Sequence, residues 1–497
     1  MARIRVERQK GYHTFLLMTA RCLVRHYTWL SFAILALACF NLTFRLGREP
    51  VGEWDESLYA TSAWEMTRTG DLVGTTFDGT LDYYNSKPPL NVWIIATAFS
   101  LFGVGLLSLR LSSAVFGWLT VWVLQRWTRR AFGPAVSLFS SLALASTFGF
   151  LHQHSARSGN ADALLTLLIL LLVVVIWSAR DDPWRRVWLG PILAGVFLLK
   201  GAALLQPLLL VMIVEAVARR SAAPASRWPP LVAAAAVFML PVGAWVMVRW
   251  RLDGWQFFEQ MVNYDLLALS LTALEGHDHG PFYYFDVLQK YQYDWLGGGG
   301  VVAIVARRSW RAWIREFVVS LRAREPLSVL MVAWAAVTFV VPTLLQTRTP
   351  WYLNAFYPLF AVLVGLVLAR GLEAQGVGSR GRTIVVATAV GLALVVAESK
   401  SLWRLYRVTN LDTSVQGLLL TQVRDGGGQR VFRDRRVRSE AFVVRALRHA
   451  EFRVVDVAGA RPPDARTGDL VVAAGERSIA GLRLLGRAAG DSVYQVE

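Results

Sequence analysis

Long apolar stretches alternate with short polar loops along most of the chain. The first stretch covers roughly residues 29–46. Further stretches begin near residues 110, 133, 163, 186, 202, 229, 293, 327, 351 and 381, and each has about the 17–22 residues that cross a bilayer as a helix. The pattern predicts an α-helical polytopic membrane protein with about eleven transmembrane helices. No small-residue cleavage site follows the first stretch, so we expect a retained helix rather than a removed signal peptide.

The arginines predict the orientation of these helices. Loops rich in Lys and Arg stay in the cytoplasm because these residues resist translocation. Arginine clusters occur in alternate loops, at 126–130, 180–186, 219–227, 307–324 and 370–382. These loops lie on one side only if residues 89–105 do not cross but form a half-buried interfacial helix. We therefore expect a multi-pass protein of the cell (inner) membrane with outer loops at 47–109 and 250–291.

The chain after about residue 399 has a different pattern. Strand-like runs (RVFRD, FRVVDV, DLVVAA and SVYQVE) alternate with one helix-like run, SEAFVVRALRHA, and with Gly, Pro and Asp breakers. This pattern predicts a small α/β domain. We expect a transmembrane domain over residues 1–398 and an extracytoplasmic α/β domain over residues 399–497.

Composition and charge agree with a membrane protein. With 55% hydrophobic and 18% charged residues, the chain is too apolar for a soluble multidomain protein. Its net charge of +17 is expected in cytoplasmic loops rather than on a nucleic-acid surface. The cysteines are Cys22 and Cys39, which leaves no disulfide framework and no thiolate metal site.

Two polar clusters in the first outer loop could support chemistry. Asp55 and Glu56 directly follow the first helix, where a charge is costly unless it is used or solvated. They could be solvated loop charges, or one could be a general base for an incoming hydroxyl. Lys87 precedes two prolines at the start of the interfacial helix. It could bind a phosphate at headgroup depth or only anchor that helix as a snorkelling lysine.

Other outer positions carry polar or aromatic residues. Lys200 ends an apolar stretch on the predicted outer side, against the positive-inside bias, which suggests an anionic partner. The loop 250–291 contains Asn263 and, further on, His277 and His279 beside Glu275. These side chains could bind a divalent metal, or they could belong to a polar substrate loop without metal. The aromatic residues there could equally form an interfacial belt.

The order of the motifs resembles that of the type C glycosyltransferases (GT-C fold) of the protein mannosyltransferase and lipid A aminoarabinose transferase superfamily. The resemblance spans about residues 30–370. The matching motifs are Asp55-Glu56-Ser57-Leu58-Tyr59, Lys87-Pro88-Pro89-Leu90, Ala156-Arg157 with Asp162, Leu199-Lys200-Gly201, His279-Gly280-Pro281-Phe282-Tyr283-Tyr284, and Thr347-Arg348-Thr349-Pro350-Trp351-Tyr352-Leu353.

The resemblance implies an inverting enzyme that takes a hexosyl or pentosyl unit from a polyprenyl-phosphate donor on the extracytoplasmic side. The acceptor would be a lipid, a glycan or a protein. Asp55 matches the catalytic carboxylate of the family. The cations at positions suited to the donor phosphate are Lys87, Arg157, Lys200 and Arg348. The residues expected to line the substrate cavity are Glu56, Tyr59, Tyr84, Asp162, Asn263, His279, Tyr283 and Tyr352.

One departure from the family bears on metal binding. The aminoarabinose branch typically has a glutamate before Lys-Pro-Pro, whereas this chain has Ser86. We therefore expect no required cofactor, and a divalent metal, if one binds, would be held by His277 and His279. The alternative function is a polyprenyl-linked lipid flippase without catalysis. Transporters keep their ionisable residues near the bilayer midplane, whereas the notable charges here cluster at one predicted interface.

Overall fold

The computed structural model describes residues 25–52, 54–218, 228–274, 276–373, 379–424, 428–433, 439–455, 461–474, 480–488 and 491–497. Several residues named in the sequence analysis lie outside the described residues, namely Cys22, the arginines of 219–227 and Glu275.

Helices form most of the described structure. The α-helices are α1 Tyr27–Thr43, α2 Asp55–Thr69, α3 Leu90–Phe102, α4 Leu106–Phe132, α5 Pro134–Ala145, α6 Phe148–His152, α7 Asp162–Ser178, α8 Leu189–Lys200, α9 Leu205–Ala218, α10 Trp228–Asp253, α11 Gln256–Gln260, α12 Leu269–Leu271, α13 Tyr283–Val305, α14 Arg307–Arg322, α15 Pro326–Ala335, α16 Val341–Leu344, α17 Tyr357–Glu373, α18 Ser379–Trp403, α19 Val415–Gln422 and α20 Ser439–Arg448.

The chain divides into two compact units. The first, here called the helical unit, comprises Met1–Leu42, Ala114–Ala156 and Ala161–Lys400. The second, the loop–tail unit, comprises Thr43–Ser113, Arg157–Asn160 and Ser401–Glu497. The loop–tail unit thus combines most of the expected first outer loop with the C-terminal tail. The expected domain limits, 1–398 and 399–497, stay a prediction.

The helices confirm the expected polytopic helical fold class. Within the described residues, seven segments are long and apolar enough to cross a membrane: Tyr27–Arg48, Leu106–Phe132, Pro183–Val217, Trp228–Asp253, Pro326–Leu344, Pro350–Leu372 and Gly381–Gln422. The stretches expected from residues 186 and 202 form one such segment, in which α8 and α9 are joined by a 3-10 turn, Gly201–Leu204. Those expected from 133 and 163 form the shorter helices α5 and α7. The total of eleven therefore stays a prediction.

Helix α17 lies in the most buried of the seven apolar segments, Pro350–Leu372, where 83% of the most apolar stretch is buried inside the protein. It packs closely against α5 because Gly365 faces Ser140. A Cβ atom at position 365 would lie 2.1 Å from Ser140 Oγ and 2.9 Å from the Ser140 backbone nitrogen. This glycine allows the two backbones to approach closely.

The expected interfacial helix is α3, which has 13 residues. At 1.5 Å per residue it is about 20 Å long, which is shorter than the roughly 30 Å hydrocarbon core of a bilayer. Pro88 and Pro89 precede it, and Gly103, with a φ of 82°, follows it. Its length agrees with a helix that does not cross the membrane.

The C-terminal tail confirms the expected small α/β domain. Its strands are β3 Arg430–Arg433, β4 Glu451–Val454, β5 Leu470–Ala474, β6 Leu482–Ala488 and β7 Asp491–Val496. Strands β1 Thr76–Phe77 and β2 Thr80–Leu81 form a separate short hairpin in the first loop. The sheet order is β4-β3-β5-β7-β6. Strand β3 pairs in parallel with β4 and β5, whereas β7 pairs antiparallel with β5 and β6. The strand β6 and the helix α19 were not predicted from the sequence.

Candidate active site

Asp55 is the first residue of α2, directly after a tight backbone turn. Trp54 in this turn has a φ of 64° and a ψ of −111°, a conformation that bulky residues rarely adopt. Such backbone persists only where surrounding contacts hold it in place. The contacts that hold residues 44–52 and Trp54 therefore determine where the Asp55 carboxylate lies.

Lys87 lies beside Asp55. Its Nζ is 3.3 Å from Asp55 Oδ1, and the two side chains are 15% and 23% exposed. The same Nζ lies 5.9 Å from the ring centroid of Tyr59, one helical turn after Asp55. Tyr84 packs against Trp54, with ring centroids 5.8 Å apart. The structure thus brings the expected base and the first expected phosphate-binding cation together, with two of the expected cavity residues beside them.

Glu56 has a different environment from its neighbour Asp55. Its carboxylate accepts hydrogen bonds from Arg110 Nε at 2.8 Å and Nη2 at 3.0 Å. It also accepts the backbone N–H groups of Gly52 at 2.6 Å and Gly159 at 2.7 Å. Burial alone would raise the pKa of Glu56, but Arg110 and the two N–H groups outweigh it, so the pKa lies below its ordinary value. Glu56 is therefore an ionised anchor inside the protein.

Gly159 joins Glu56 to α3. A Cβ atom at this position would lie 2.7 Å from Leu109 Cδ1 and 3.3 Å from Glu56 Cγ, which leaves no room for a side chain. The Gly159 carbonyl accepts a hydrogen bond from Asn91 Nδ2 at 3.0 Å. The segment 157–160 is therefore attached to both α2 and α3.

Arg110 holds the turn before Asp55 as well as Glu56. Its guanidinium donates to the backbone carbonyls of Leu46 at 3.1 Å, Glu49 at 2.8 Å and Pro50 at 2.7 Å. Sequence reasoning did not single out Arg110. The signal was present, because an arginine near the start of an apolar helix on the predicted outer side opposes the positive-inside bias.

Arg157, an expected phosphate-binding residue, lies in a second buried ion pair. Its Nε and Nη2 lie 3.2 and 2.8 Å from Glu49 Oε1, and Nη2 also donates to the Phe44 carbonyl at 2.8 Å. Burial lowers the pKa of Arg157, and Glu49 offsets this only in part. In this structure Arg157 therefore stabilises the turn before Asp55, and its contact with phosphate stays a prediction.

Lys200 and Asp162 form an ion pair in the helical unit. Lys200 Nζ lies 2.9 Å from Asp162 Oδ1, and the side chains are 15% and 5% exposed. Asp162 is the first residue of α7 and Lys200 is the last of α8. In this structure Lys200 therefore pairs with a carboxylate of the protein, and its contact with a donor phosphate stays a prediction.

Arg348 ties two loops of the helical unit together. Its Nε donates to the Thr343 carbonyl at 3.1 Å, and its Nη1 donates to the His279 carbonyl. Its backbone N–H donates to the His277 carbonyl at 3.3 Å. Arg348 thereby fixes the histidine loop beside the motif that begins at Thr347.

His277, His279 and Tyr283 lie in an aromatic cluster of the helical unit. The rings of His279 and Tyr283 are stacked with centroids 4.0 Å apart. His154 stacks on Trp351 at 4.0 Å, and His277 meets the edge of the same indole at 5.8 Å. Burial, with a smaller effect of Tyr291, raises the pKa of Tyr283 to about 12. The Tyr283 phenol therefore stays protonated at neutral pH. His154 also belongs to this cluster, and the sequence analysis did not identify it.

Two expected cavity residues, Asn263 and Tyr352, remain to be placed. Asn263 is exposed in the π-helical segment Met261–Ala268. Tyr352 lies in the 3-10 segment Pro350–Phe356 and donates its backbone N–H to the Thr349 carbonyl at 3.2 Å. In the described part of the chain, no group of three or more His, Cys, Asp or Glu side chains could hold a metal ion. The expectation of a metal-independent reaction stays a prediction.

Comparisons with known proteins agree with the resemblance seen in the motifs. Residues 86–245 match the family described as dolichyl-phosphate-mannose-protein mannosyltransferase. A Pseudomonas fluorescens Pf-5 protein, undecaprenyl phosphate-alpha-4-amino-4-deoxy-L-arabinose arabinosyl transferase 2, is 32% identical over 187 residues. That match covers 36% of this chain and 32% of the relative, so the chain matches about a third of the length of this curated relative. The corresponding protein of strain Pf0-1 is 24% identical over 371 residues, which are 73% of this chain and 64% of the relative.

Solved structures share the fold. Apo ArnT from Cupriavidus metallidurans superposes with a TM-score of 0.67 at 14% identity, covering 94% of this chain and 98% of that chain. An oligosaccharyltransferase from Archaeoglobus fulgidus has a TM-score of 0.55 at 11% identity, covering 85% of this chain and 63% of that chain. The chain therefore has the GT-C fold, and the expected resemblance to the ArnT-like superfamily is confirmed.

Proposed function

We propose that this chain, with its GT-C fold and its relationship to ArnT-like proteins, is a membrane glycosyltransferase that uses a polyprenyl-phosphate-linked sugar. The curated relatives are named for transfer of a sugar from undecaprenyl phosphate, and one solved ArnT structure holds undecaprenyl phosphate. The observation that carries the proposal is the 3.3 Å pair of Asp55 and Lys87. It supplies one proton acceptor and one cation side by side, which are the two groups that this transfer requires.

The proposed reaction is a single displacement at the anomeric carbon. A hydroxyl of the acceptor attacks this carbon from the face opposite the phosphate, and Asp55 accepts the hydroxyl proton as the new C–O bond forms. The bond between the anomeric carbon and the phosphate oxygen breaks, and its electron pair leaves with the phosphate. The products are polyprenyl phosphate and a glycosylated acceptor with inverted anomeric configuration.

Lys87 stabilises the leaving phosphate in this proposal. Negative charge grows on the phosphate oxygen as the bond breaks, so a fixed cation lowers the barrier more than it favours ground-state binding. In this structure Lys87 is paired with Asp55. Phosphate binding would draw Lys87 toward the donor and leave the Asp55 carboxylate available to the acceptor hydroxyl.

The other expected residues have supporting roles in the proposal. Arg157, which lies in the same unit as Asp55 and Lys87, supplies further positive charge for the donor phosphate. The phosphate contacts expected of Lys200 and Arg348 stay predictions. The sugar and the acceptor would contact Tyr59 and Tyr84, the expected cavity residues beside the Asp55–Lys87 pair. Glu56 would act through its anchoring of α2, because its carboxylate already accepts four hydrogen bonds.

We place the reaction on the outer side of the inner membrane. The alternation of arginine-rich loops supports this orientation, because it leaves Asp55 and Lys87 on the side opposite the arginines. The sugar is a hexose or a pentose, and the acceptor is a lipid, a glycan or a protein. No metal is required, because Asp55 and Lys87 between them supply the base and the stabilising charge.

Reconstitution tests this proposal. Purified protein in liposomes is offered a panel of undecaprenyl-phosphate-linked hexoses and pentoses with an envelope lipid and glycan extract as acceptor. We expect one donor to yield free undecaprenyl phosphate and an acceptor heavier by one sugar in mass spectrometry, with inverted configuration by NMR. Exhaustive chelation should leave the rate unchanged. Donor movement across the bilayer without release of undecaprenyl phosphate would instead identify a flippase and contradict the proposal.

A further inference from the structure

The C-terminal tail contacts the turn before Asp55 through one side-chain amide. Gln416, in α19, accepts the Val51 backbone N–H at 2.7 Å with its Oε1 and donates its Nε2 to the Val51 carbonyl at 2.8 Å. Gln416 is 6% exposed. A single side chain thus satisfies both backbone groups of a residue four positions before Asp55, as a neighbouring strand would.

The same turn has a second contact with the tail. Thr409 Oγ1 donates to Glu49 Oε2 at 3.0 Å, while the other oxygen of this carboxylate pairs with Arg157. Arg45 also donates to Asn410 Oδ1 at 3.1 Å. The turn is therefore held both by Arg110 and Arg157 and by residues 409–416.

The tail also contacts the part of the loop that surrounds Lys87. Arg445, in α20, pairs with Asp78 of the β1–β2 hairpin at 2.6 Å. Phe442 of the same helix stacks on Phe99 of α3, with ring centroids 5.9 Å apart. Phe99 lies in the helix that begins just after Lys87, so α20 contacts the loop both before and after this lysine.

These contacts matter because the backbone of the turn is strained at Trp54 and needs contacts from other segments to keep its conformation. Trp54 has a positive φ, and such strain is maintained by outside contacts. Of the tail contacts described above, the one closest to Trp54 in sequence is that of the Gln416 amide with Val51, and this amide is neutral and buried. It can fix the backbone without adding charge beside the Asp55–Lys87 pair.

We infer that the C-terminal α/β domain is a positioning element for Asp55 and that Gln416 is its main positioning residue. This inference rests on the proposed glycosyl transfer only for its kinetic consequence. Gln416 does not touch the reacting atoms in this account. It holds Val51, and through Val51 the turn that sets the Asp55 carboxylate against Lys87.

The variant Gln416→Glu tests the inference with almost no change of shape. An ionised glutamate still accepts the Val51 N–H but places a second oxygen against the Val51 carbonyl, so the turn should loosen. The matched control is Gln422→Glu, the same substitution at an exposed position of the same helix. We expect Gln416→Glu to lower kcat by about 10- to 100-fold, because small displacements of reacting groups cost that much, and to change the donor KM little.

A measurement independent of activity accompanies the kinetics. Hydrogen exchange, followed by mass spectrometry, should rise in peptides covering residues 49–58 in Gln416→Glu and stay at the wild-type level in Gln422→Glu. Gln416→Ala, which removes the amide without adding charge, should give the same increase in exchange. This variant replaces Gln416→Glu in the test if Gln416→Glu does not fold. The exchange result holds whether or not the chain transfers sugar, so it separates this inference from the proposed function.

The pH dependence gives a signature that a purely structural role would lack. In Gln416→Glu, the protonated carboxyl group can donate to the Val51 carbonyl and accept the Val51 N–H, as the amide does, and burial raises the pKa of a carboxyl group. The turnover of Gln416→Glu relative to Gln422→Glu should therefore recover as the pH falls from about 8 to about 5.

Equal exchange at residues 49–58 in the two variants, with equal turnover, would overturn the inference. An inactive wild type with the expected exchange difference would overturn only the proposed function.

Discussion

Asp55 and Glu56 are adjacent carboxylates with different surroundings. Asp55 is partly exposed and has one ammonium group 3.3 Å away, whereas Glu56 is buried against Arg110 with two backbone N–H donors. A base must reach a proton of the substrate, which a carboxylate saturated by protein donors does not do. The sequence shows two acids in a row, and the match to the family motif singled out Asp55. The surroundings of Glu56 supply a physical reason for the same choice.

At the residue scale, the role of Lys87 at the donor phosphate can be tested by replacing its side chain with a neutral one of similar length. Lys87→Met should lower kcat/KM for the lipid-linked donor by about 100-fold, a typical effect of removing one group that stabilises transition-state charge. The matched control is Lys290→Met, since Lys290 is an exposed lysine of α13 near the Tyr291 ring. The measurement is the steady-state rate of undecaprenyl phosphate release over a range of donor concentrations.

The two lysine variants must differ for the assignment of Lys87 to stand. If Lys87→Met and Lys290→Met kept the same kcat/KM, Lys87 would be an anchor of α3 and not a phosphate ligand. If Lys87→Met raised only the KM for the donor, Lys87 would assist binding without stabilising the leaving group.

At the element scale, the position of α2 depends on arginines that are distant in sequence. Arg110 and Arg157 contact the turn at 44–50 from other elements of the loop–tail unit. The apolar stretches of the sequence predicted α3 and α4, but they carry no information about which carboxylate a buried arginine meets. The ion-pair network was therefore not predictable, although each arginine was visible in the sequence.

The Glu56–Arg110 pair should contribute strongly to stability. Breaking a buried pair typically costs about 3–5 kcal/mol because the remaining charge is left uncompensated. Glu56→Gln should therefore unfold at a clearly lower temperature than wild type in detergent at neutral pH. Glu451→Gln is the control, since Glu451 forms an exposed pair with Arg453, and it should change the unfolding temperature little.

The difference in unfolding temperature between wild type and Glu56→Gln should depend on pH in a definite direction. The pKa of Glu56 is lowered in the folded state, so its contribution is present above the unfolded pKa of about 4.3 and is lost as the pH falls through the folded value. The unfolding temperatures of wild type and Glu56→Gln should therefore converge below about pH 4. A difference that stays constant down to about pH 3 would show that Glu56 stabilises α2 by packing and not by its charge.

The elements of the tail show which patterns were readable. The strands β3, β4, β5 and β7 follow short apolar runs between breakers, as expected. Strand β6 was missed because it is half-exposed and has a register shift between Leu484 and Gly486, which disturbs its alternation. Helix α19 has only eight residues and contains Gly417, so it lacks a helical signal of its own.

At the scale of the whole molecule, the predicted orientation can be tested by labelling. Thr80 lies exposed in the first loop, and Asp181 lies exposed in an arginine-rich loop. In a background with Cys22 and Cys39 replaced by Ser, Thr80→Cys should react with a membrane-impermeant maleimide in intact cells. Asp181→Cys should react only after the membrane is permeabilised, because its loop is predicted to be cytoplasmic.

The reverse pattern of labelling would contradict the arginine-based orientation. Labelling of both positions from outside would mean that an odd number of the expected crossings between them is wrong. The count of crossings is the part of the fold least accessible from the sequence, because turns such as Gly201–Leu204 break helices inside continuous apolar runs.

The central claim is that Asp55 is the general base of a sugar transfer, and one comparison tests it most directly. Envelope lipids, glycans and proteins are analysed by mass spectrometry in cells without the protein and in cells that carry wild type, Asp55→Asn or Asp71→Asn. Asp71 is an exposed aspartate of the same loop whose carboxylate accepts only the N–H groups of its own turn among the contacts described, and asparagine keeps such a turn.

We expect wild type and Asp71→Asn to add one glycosyl unit to a cell-envelope acceptor. Asp55→Asn should be made in equal amount and inserted in the membrane, yet lack this unit, because general-base assistance is worth about 10²–10⁴-fold in rate. The polyprenyl-phosphate-linked sugar should accumulate in its place. A normal level of the glycosylated acceptor in Asp55→Asn cells would contradict the account.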